Sequence, residues 1–130
     1  MNGRFGSGGP YEEQFGYSRV VATGPHAWVA GCTSIVDGEF VHDGDAAAQA
    51  RAAFALALQA LDRAGFDRGD VVRTRMFVVD VAANGDDVAL VHGEVFADVR
   101  PASSLIGIAG LVDPRMLVEV EVEAFRGEWA

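Results

Sequence analysis

The run MLVEVEVEAF at residues 116–125 alternates apolar and acidic side chains, with Val118, Val120, Val122 and Ala124 on one parity and Glu119, Glu121 and Glu123 on the other. Side chains alternate across a strand, so the run predicts a β-strand with one apolar and one carboxylate face. A fold built around it is a sheet covered on one side and open on the other.

Two stretches supply the cover. Ala50, Phe54, Leu58 and Leu61 recur at three- and four-residue spacing, which predicts a helix over 46–64, with Asp45 as its cap and Gly65 at its end. Val88, Val91 and Val95 form a second stripe, with Asn84 as N-cap and Pro101 closing the segment. Between them, VVRTRMFVVD at 71–80 is β-branched and aromatic enough for a central strand. Its parity turns Val72, Met76 and Val78 to the helices and puts Arg73 and Arg75 on the open face beside the glutamates.

Upstream, strands over 18–22 and 27–33 meet at a Gly24-Pro25 turn, and 39–42 forms a short edge strand after Gly38. Downstream, strands over 103–111 and 116–125 join across Asp113-Pro114. The order ββ(β)–α–β–α–β–β predicts an α+β domain with both helices on one sheet face. The open face fits either a solvated surface laced with cross-strand ion pairs or a surface on which several subunits meet.

A chain of 130 residues has room for one such domain, expected over 15–130. Residues 1–14 open with MNGRFGSGGP, which lacks the apolar core of a secretion signal and reads as a flexible arm. The longest apolar runs, AWVAG and MFVV, fall short of the roughly 20 residues that cross a bilayer, so no membrane partner is expected. Cys32 is the only cysteine and cannot close an internal disulfide, which fits a reducing, cytoplasmic setting. The net charge is −9, and all ten basic residues are arginines scattered singly, which argues against nucleic acid as a partner. His26, His42 and His92 are too dispersed for a metal triad, and the SGG at 7–9 neither follows a strand nor opens a helix as a phosphate loop would. No metal or organic cofactor is expected.

RPASSLIGIAGL at 100–111, followed by MLVEVEVEAF, resembles the C-terminal signature of the Rid/YjgF (reactive-intermediate deaminase) family, in which a Pro-Ala-Arg-Ser segment precedes a Leu-Val-Glu-Ile-Glu-Ala strand. GYSRVVATG at 16–24, leading to Gly31, is similar to the family's first hairpin with its pocket tyrosine. AAAQARAAFALALQAL at 46–61 resembles its Gln-Ala-Arg helix, and RAGFDRGDVVRTRMFVVD at 63–80 its helix-to-strand crossing. The resemblance covers residues 15–125. It implies a chorismate-mutase-like α+β fold, a mixed sheet of about six strands with two helices on one face. It further implies a homotrimer with a central barrel and a small-molecule pocket at each subunit junction. The implied chemistry is cofactor-free hydrolysis of enamines and imines, such as 2-aminoacrylate, to the ketone and ammonia.

Carried over residue by residue, the resemblance makes Glu119 the water-positioning carboxylate and Tyr17 the pocket tyrosine, with Gly31 and Cys32 on the pocket wall. Ser103 stands where the family has its carboxylate-binding arginine, and Leu105 where it has a cysteine. A hydroxyl cannot replace a bidentate guanidinium, so activity on 2-aminoacrylate is not expected to be strong. Parity makes Arg75 the candidate replacement cation. The alternative is a non-catalytic trimer that binds a metabolite in the same pocket.

Overall fold

The structure is a computed structural model that describes residues 2–127. Strands β1 (Gly3–Phe5), β2 (Val20–Thr23) and β3 (His26–Cys32) come first, followed by a separate small hairpin of β4 (Ile35–Val36) and β5 (Glu39–Phe40). Helix α1 (Pro10–Phe15) lies between β1 and β2. Helix α2 (Ala46–Arg63), strand β6 (Val71–Val79), helix α3 (Val81–Phe96), β7 (Ala102–Ile108) and β8 (Val118–Phe125) complete the chain. The six-stranded sheet has the order β1-β2-β3-β8-β6-β7. Its pairings are antiparallel except β6 with β7, the two strands that α3 connects. The expected mixed sheet with two helices on one face is therefore present.

The parity of β8 holds along its length, with Val118, Val120, Val122 and Ala124 buried and the three glutamates partly exposed. Helix α2 covers β3 and β8 through alanines, since Ala46, Ala50, Ala53, Ala57 and Ala60 are all buried. Small side chains let the helix axis approach the sheet, and Phe54 and Leu61 fill what remains. Phe54 meets Phe96 of α3 edge-on at 5.4 Å, joining the two helices above the sheet. Gln49, fully buried in the first turns of α2, donates through Nε2 to the carbonyls of His42 and Arg115 and accepts the Leu117 N–H. That side chain fixes the loop leading into β8 one residue before the strand begins.

Four sequence expectations differ from the structure. The β6–β8 pairing shifts register between Val71 and Arg73, so Val71 and Thr74 face the helices with Met76 and Val78, and Val72 falls at the irregularity. Helix α3 starts at Val81 after Asp80 in the left-handed region (φ 51°), and Asn84 instead donates from within the first turn to the Val79 carbonyl. Glu39–Phe40 pairs only with Ile35–Val36, outside the main sheet. Residues 1–14, read as an arm, contain β1, which extends the sheet beyond β2, and most of α1. Among the described residues, no helix is long and apolar enough to cross a membrane.

Candidate functional site

Strand β3 carries one residue more than β8 between Val29 and Cys32, because Val29 pairs with Val122 and Cys32 with Val120. The resulting bulge pushes the backbone at Ala30 and Gly31 toward the open face. Glu119, next to this point on β8, lays its side chain across Gly31. A Cβ built at position 31 would stand 2.5 Å from Glu119 Cδ and 2.9 Å from its Cγ. Only a glycine leaves the carboxylate that path.

The carbonyls freed by the bulge are taken by Arg19. Its Nη1 donates to the carbonyl oxygens of Gly31 (2.5 Å) and Ala30 (3.1 Å) and lies 3.4 Å from Cys32 Sγ. Its Nε is 3.7 Å from Glu12 Oε2, and its guanidinium carbon is 5.7 Å from the centre of the Tyr17 ring. Glu12 is buried and accepts the Ser7 N–H at 2.8 Å and the Ser7 hydroxyl. The N-terminal segment is thereby tied to the site through a chain running Ser7, Glu12, Arg19, Gly31.

Burial pushes the Glu119 carboxyl above its ordinary range, and the charge of Glu121 adds to this while Arg19 opposes it. Glu119 accepts no hydrogen bond from any described residue. Burial also raises the Cys32 thiol against the opposing pull of Arg19, so Cys32 remains uncharged. For Glu12 burial acts in the raising direction, but hydrogen bonds from Ser7 and the Arg19 charge outweigh it and hold the carboxyl below its ordinary value.

Gly31 and Glu119 are thus in contact within one protomer, with Tyr17 linked to them through Arg19, whereas Cys32 has the parity of Val120 and is buried in the core beneath the bulge. Ser103 and Leu105 stand apart. Both lie on edge strand β7 with the parity of Thr74 and Met76, toward the helices, whereas Glu119 projects from the opposite face. Ser103 accepts from Thr74 Oγ1 at 2.8 Å, and Thr74 also bonds His92 Nε2 at 2.7 Å, so the exposed serine ends a polar chain that runs through the buried Thr74. Arg75 shares the open face but is engaged there, with Nη1 2.8 Å from Glu123 and 3.7 Å from Glu121.

Arg19, Glu12 and the Thr74–His92 pair were not singled out from sequence. Arg19 has the parity of Tyr17 two residues before it, which is the one local sign of a shared face. Two open cavities, of about 410 and 320 Å³, lie at the far edge around Arg100 and Pro101, and neither includes Glu119 or Arg19. Among the described residues no group of three or more histidines, cysteines or carboxylates is placed to hold a metal ion.

Residues 11–126 match the profile of a protein family described as Endoribonuclease L-PSP. Protein SCO2049 of Streptomyces coelicolor is 40% identical over 124 residues, spanning 95% of this chain and 92% of that protein. The crystal structure of Rv2704 from Mycobacterium tuberculosis, a member of the YjgF/YER057c/UK114 family, superposes with a TM-score of 0.86 at 38% identity, covering 96% of this chain and 99% of the other. The crystal structure of the yjgF gene product of Escherichia coli superposes with a TM-score of 0.75 at 28% identity, covering 85% and 88%.

Proposed function

The chain belongs to the Endoribonuclease L-PSP family, which includes the YjgF or Rid proteins, and from that premise we propose that it is a cofactor-free hydrolase of small imines and enamines. The observation that carries this reading is Glu119, a half-buried carboxylate aimed over bare backbone at Gly31 and without a hydrogen-bond donor of its own.

A carboxyl raised above its ordinary value is a better base than an ordinary one. Glu119 takes a proton from water as the oxygen attacks the imine carbon and the C=N π bond opens. The same carboxyl returns the proton to nitrogen, and the carbinolamine collapses to a carbonyl as the C–N bond breaks. The balance is R₂C=NH₂⁺ + H₂O → R₂C=O + NH₄⁺. Tyr17 walls the pocket beside Arg19.

The open sheet face leaves Trp28 and Ile106 exposed among the paired charges of Arg75, Glu121 and Glu123. In our reading that face forms the central barrel of a homotrimer, and the β7 edge of one protomer, with Ser103 and Leu105, closes over the Glu119 crevice of the next. Cys32 as a free thiol suits a reducing cytoplasm. RNA cleavage is not part of this reading, because the acidic chain has no cluster of arginines to hold phosphates.

The test is decay of an imine generated in situ by an oxidase or dehydratase, followed with wild type and Glu119→Gln. Acceleration by wild type and its loss in the variant are expected. A second reading, a trimer that binds a metabolite without consuming it, is favoured by the uncharged Ser103 and would show as a retained, unaltered ligand in native mass spectrometry.

A further inference from the structure

The charges around Glu119 carry the reading of this site further, to the class of its substrate. Around Glu119, the carboxylates of Glu12 and Glu121 join it against the guanidiniums of Arg19 and Arg75, three negative charges to two positive. Both guanidiniums are also already engaged. Arg19 Nη1 is held by two carbonyls and Cys32 Sγ, with Nε beside Glu12. Arg75 is held by Glu123 and Glu121. Arg73, the other arginine of β6, lies four residues from Phe77, the residue that pairs with Glu119, which is about 13 Å along the strand. Ser103 contributes a hydroxyl already bonded to Thr74 and no charge.

A substrate carboxylate set against Glu119 would therefore meet a like charge and no unengaged cation within the cluster. A protonated imine meets the reverse. One oxygen of Glu119 can accept from the iminium N–H while the other accepts from the attacking water. The net charge of −9 also steers a cation toward the protein rather than away from it.

Resting on the hydrolase reading above, we propose that the substrate is an iminium ion without a carboxylate, the two-electron oxidation product of a simple amine rather than of an amino acid. The reaction that supplies it is then an amine oxidation, and this protein releases the aldehyde or ketone and ammonium from the product.

The experiment uses the full chain and matched pairs that differ by one carboxylate: ethylamine with alanine, and 2-phenylethylamine with phenylalanine. Equilibrium binding of the four compounds is measured by calorimetry. Hydrolysis of their imines, generated by a flavin amine oxidase or an amino-acid oxidase, is measured by competition with semicarbazide. Preference for the carboxylate-free member in both measurements, on the order of 10- to 100-fold as expected for an unopposed charged hydrogen bond, supports the proposal. Loss of that preference in Glu119→Gln ties it to this carboxylate.

Equal or better handling of the amino-acid member overturns the substrate class and leaves the hydrolase reading intact, pointing to a cation such as Arg100 brought by another copy. Selective amine binding with no hydrolysis of either imine overturns the hydrolase reading and keeps the ligand class. Binding of none of the four at millimolar concentration overturns the substrate class.

Discussion

Glu119 lies across the backbone of Gly31, on the neighbouring strand, so closely that a Cβ there would sit 2.5 Å from its Cδ. The position of the carboxyl is thus set by a missing side chain as much as by β8 itself. Gly31→Ala should displace the carboxylate from the crevice and lower kcat/KM by about 100-fold, the scale of a misplacement of about 1 Å in a catalytic group. Overpacking at a bulge costs roughly 1–3 kcal/mol. The variant should therefore remain folded by circular dichroism, and a Gly31→Ala protein with full activity would remove Glu119 from the chemistry.

The environment that makes Glu119 a base also makes it a burden on the fold. Its carboxyl titrates above its unfolded value because burial disfavours the charge. In the window between those two values the native state holds more protons than the unfolded chain, so stability falls as pH rises through it. Glu119→Gln removes that loss. At neutral pH the variant should melt higher than wild type while losing about 10²- to 10⁴-fold in kcat. In wild type, kcat/KM should rise with pH through an inflection above the ordinary carboxylate range, and the variant should lack that limb. A lower melting temperature for Glu119→Gln would show that the carboxylate is held by contacts it is said here to lack.

Arg19 joins the N-terminal segment to the bulge, and its removal should be felt at both ends. Arg19→Met leaves the Gly31 carbonyl and the buried Glu12 without their cation, at a cost of about 1–3 kcal/mol. The Glu12 carboxyl lies below its ordinary value of 4.5, so its contribution to stability is present above that pH and is lost as pH falls below it. Amide exchange over residues 3–15 should therefore quicken in wild type below about pH 4.5, and in Arg19→Met already at neutrality. Unchanged exchange in the variant would mean that the segment is held by something other than this pair.

How much of this was legible beforehand depends on how local each signal is. The faces of β8 follow from a period of two inside one strand, which needs no partner, so Glu119 could be named from its own neighbours. Gly31 came only through the family resemblance, because its physical reason is a side chain 88 positions away in the sequence. Parity placed Arg75 on the right face but said nothing of register, and it is register that sets it opposite Glu121 and beside Glu123. Arg19 was missed because its acceptors are bulge carbonyls, and a bulge has no signature in composition. The same blindness misplaced Val72, where the extra residue in β6 reverses the parity of everything before it. Asn84 reads as a cap in sequence because its type favours that role, whereas the chain turns four residues earlier, at an Asp80 held in the left-handed region.

The polar chain from His92 through the buried Thr74 to Ser103 makes the last prediction. Thr74 is fully buried, and among the described residues its hydroxyl is the link between the imidazole and the serine. Burial lowers the His92 pKa below its ordinary value of 6.5, so the native state takes up its proton later than the unfolded chain does as pH falls. The stability this gives is complete above that pH and is lost as pH falls below it. Urea unfolding of wild type should show a loss of stability between pH 7 and pH 5 that is smaller in His92→Gln. Thr74→Val keeps the shape of the side chain and removes the link, leaving the part-buried imidazole without this partner while the exposed Ser103 turns to water, at a cost of about 0.5–1.5 kcal/mol. If Ser103 contacts substrate across a subunit junction, Thr74→Val should also raise KM while leaving kcat near wild type, since Glu119 stands on the other face of the sheet. A fall in kcat with KM unchanged would mean instead that this chain acts on the chemical step.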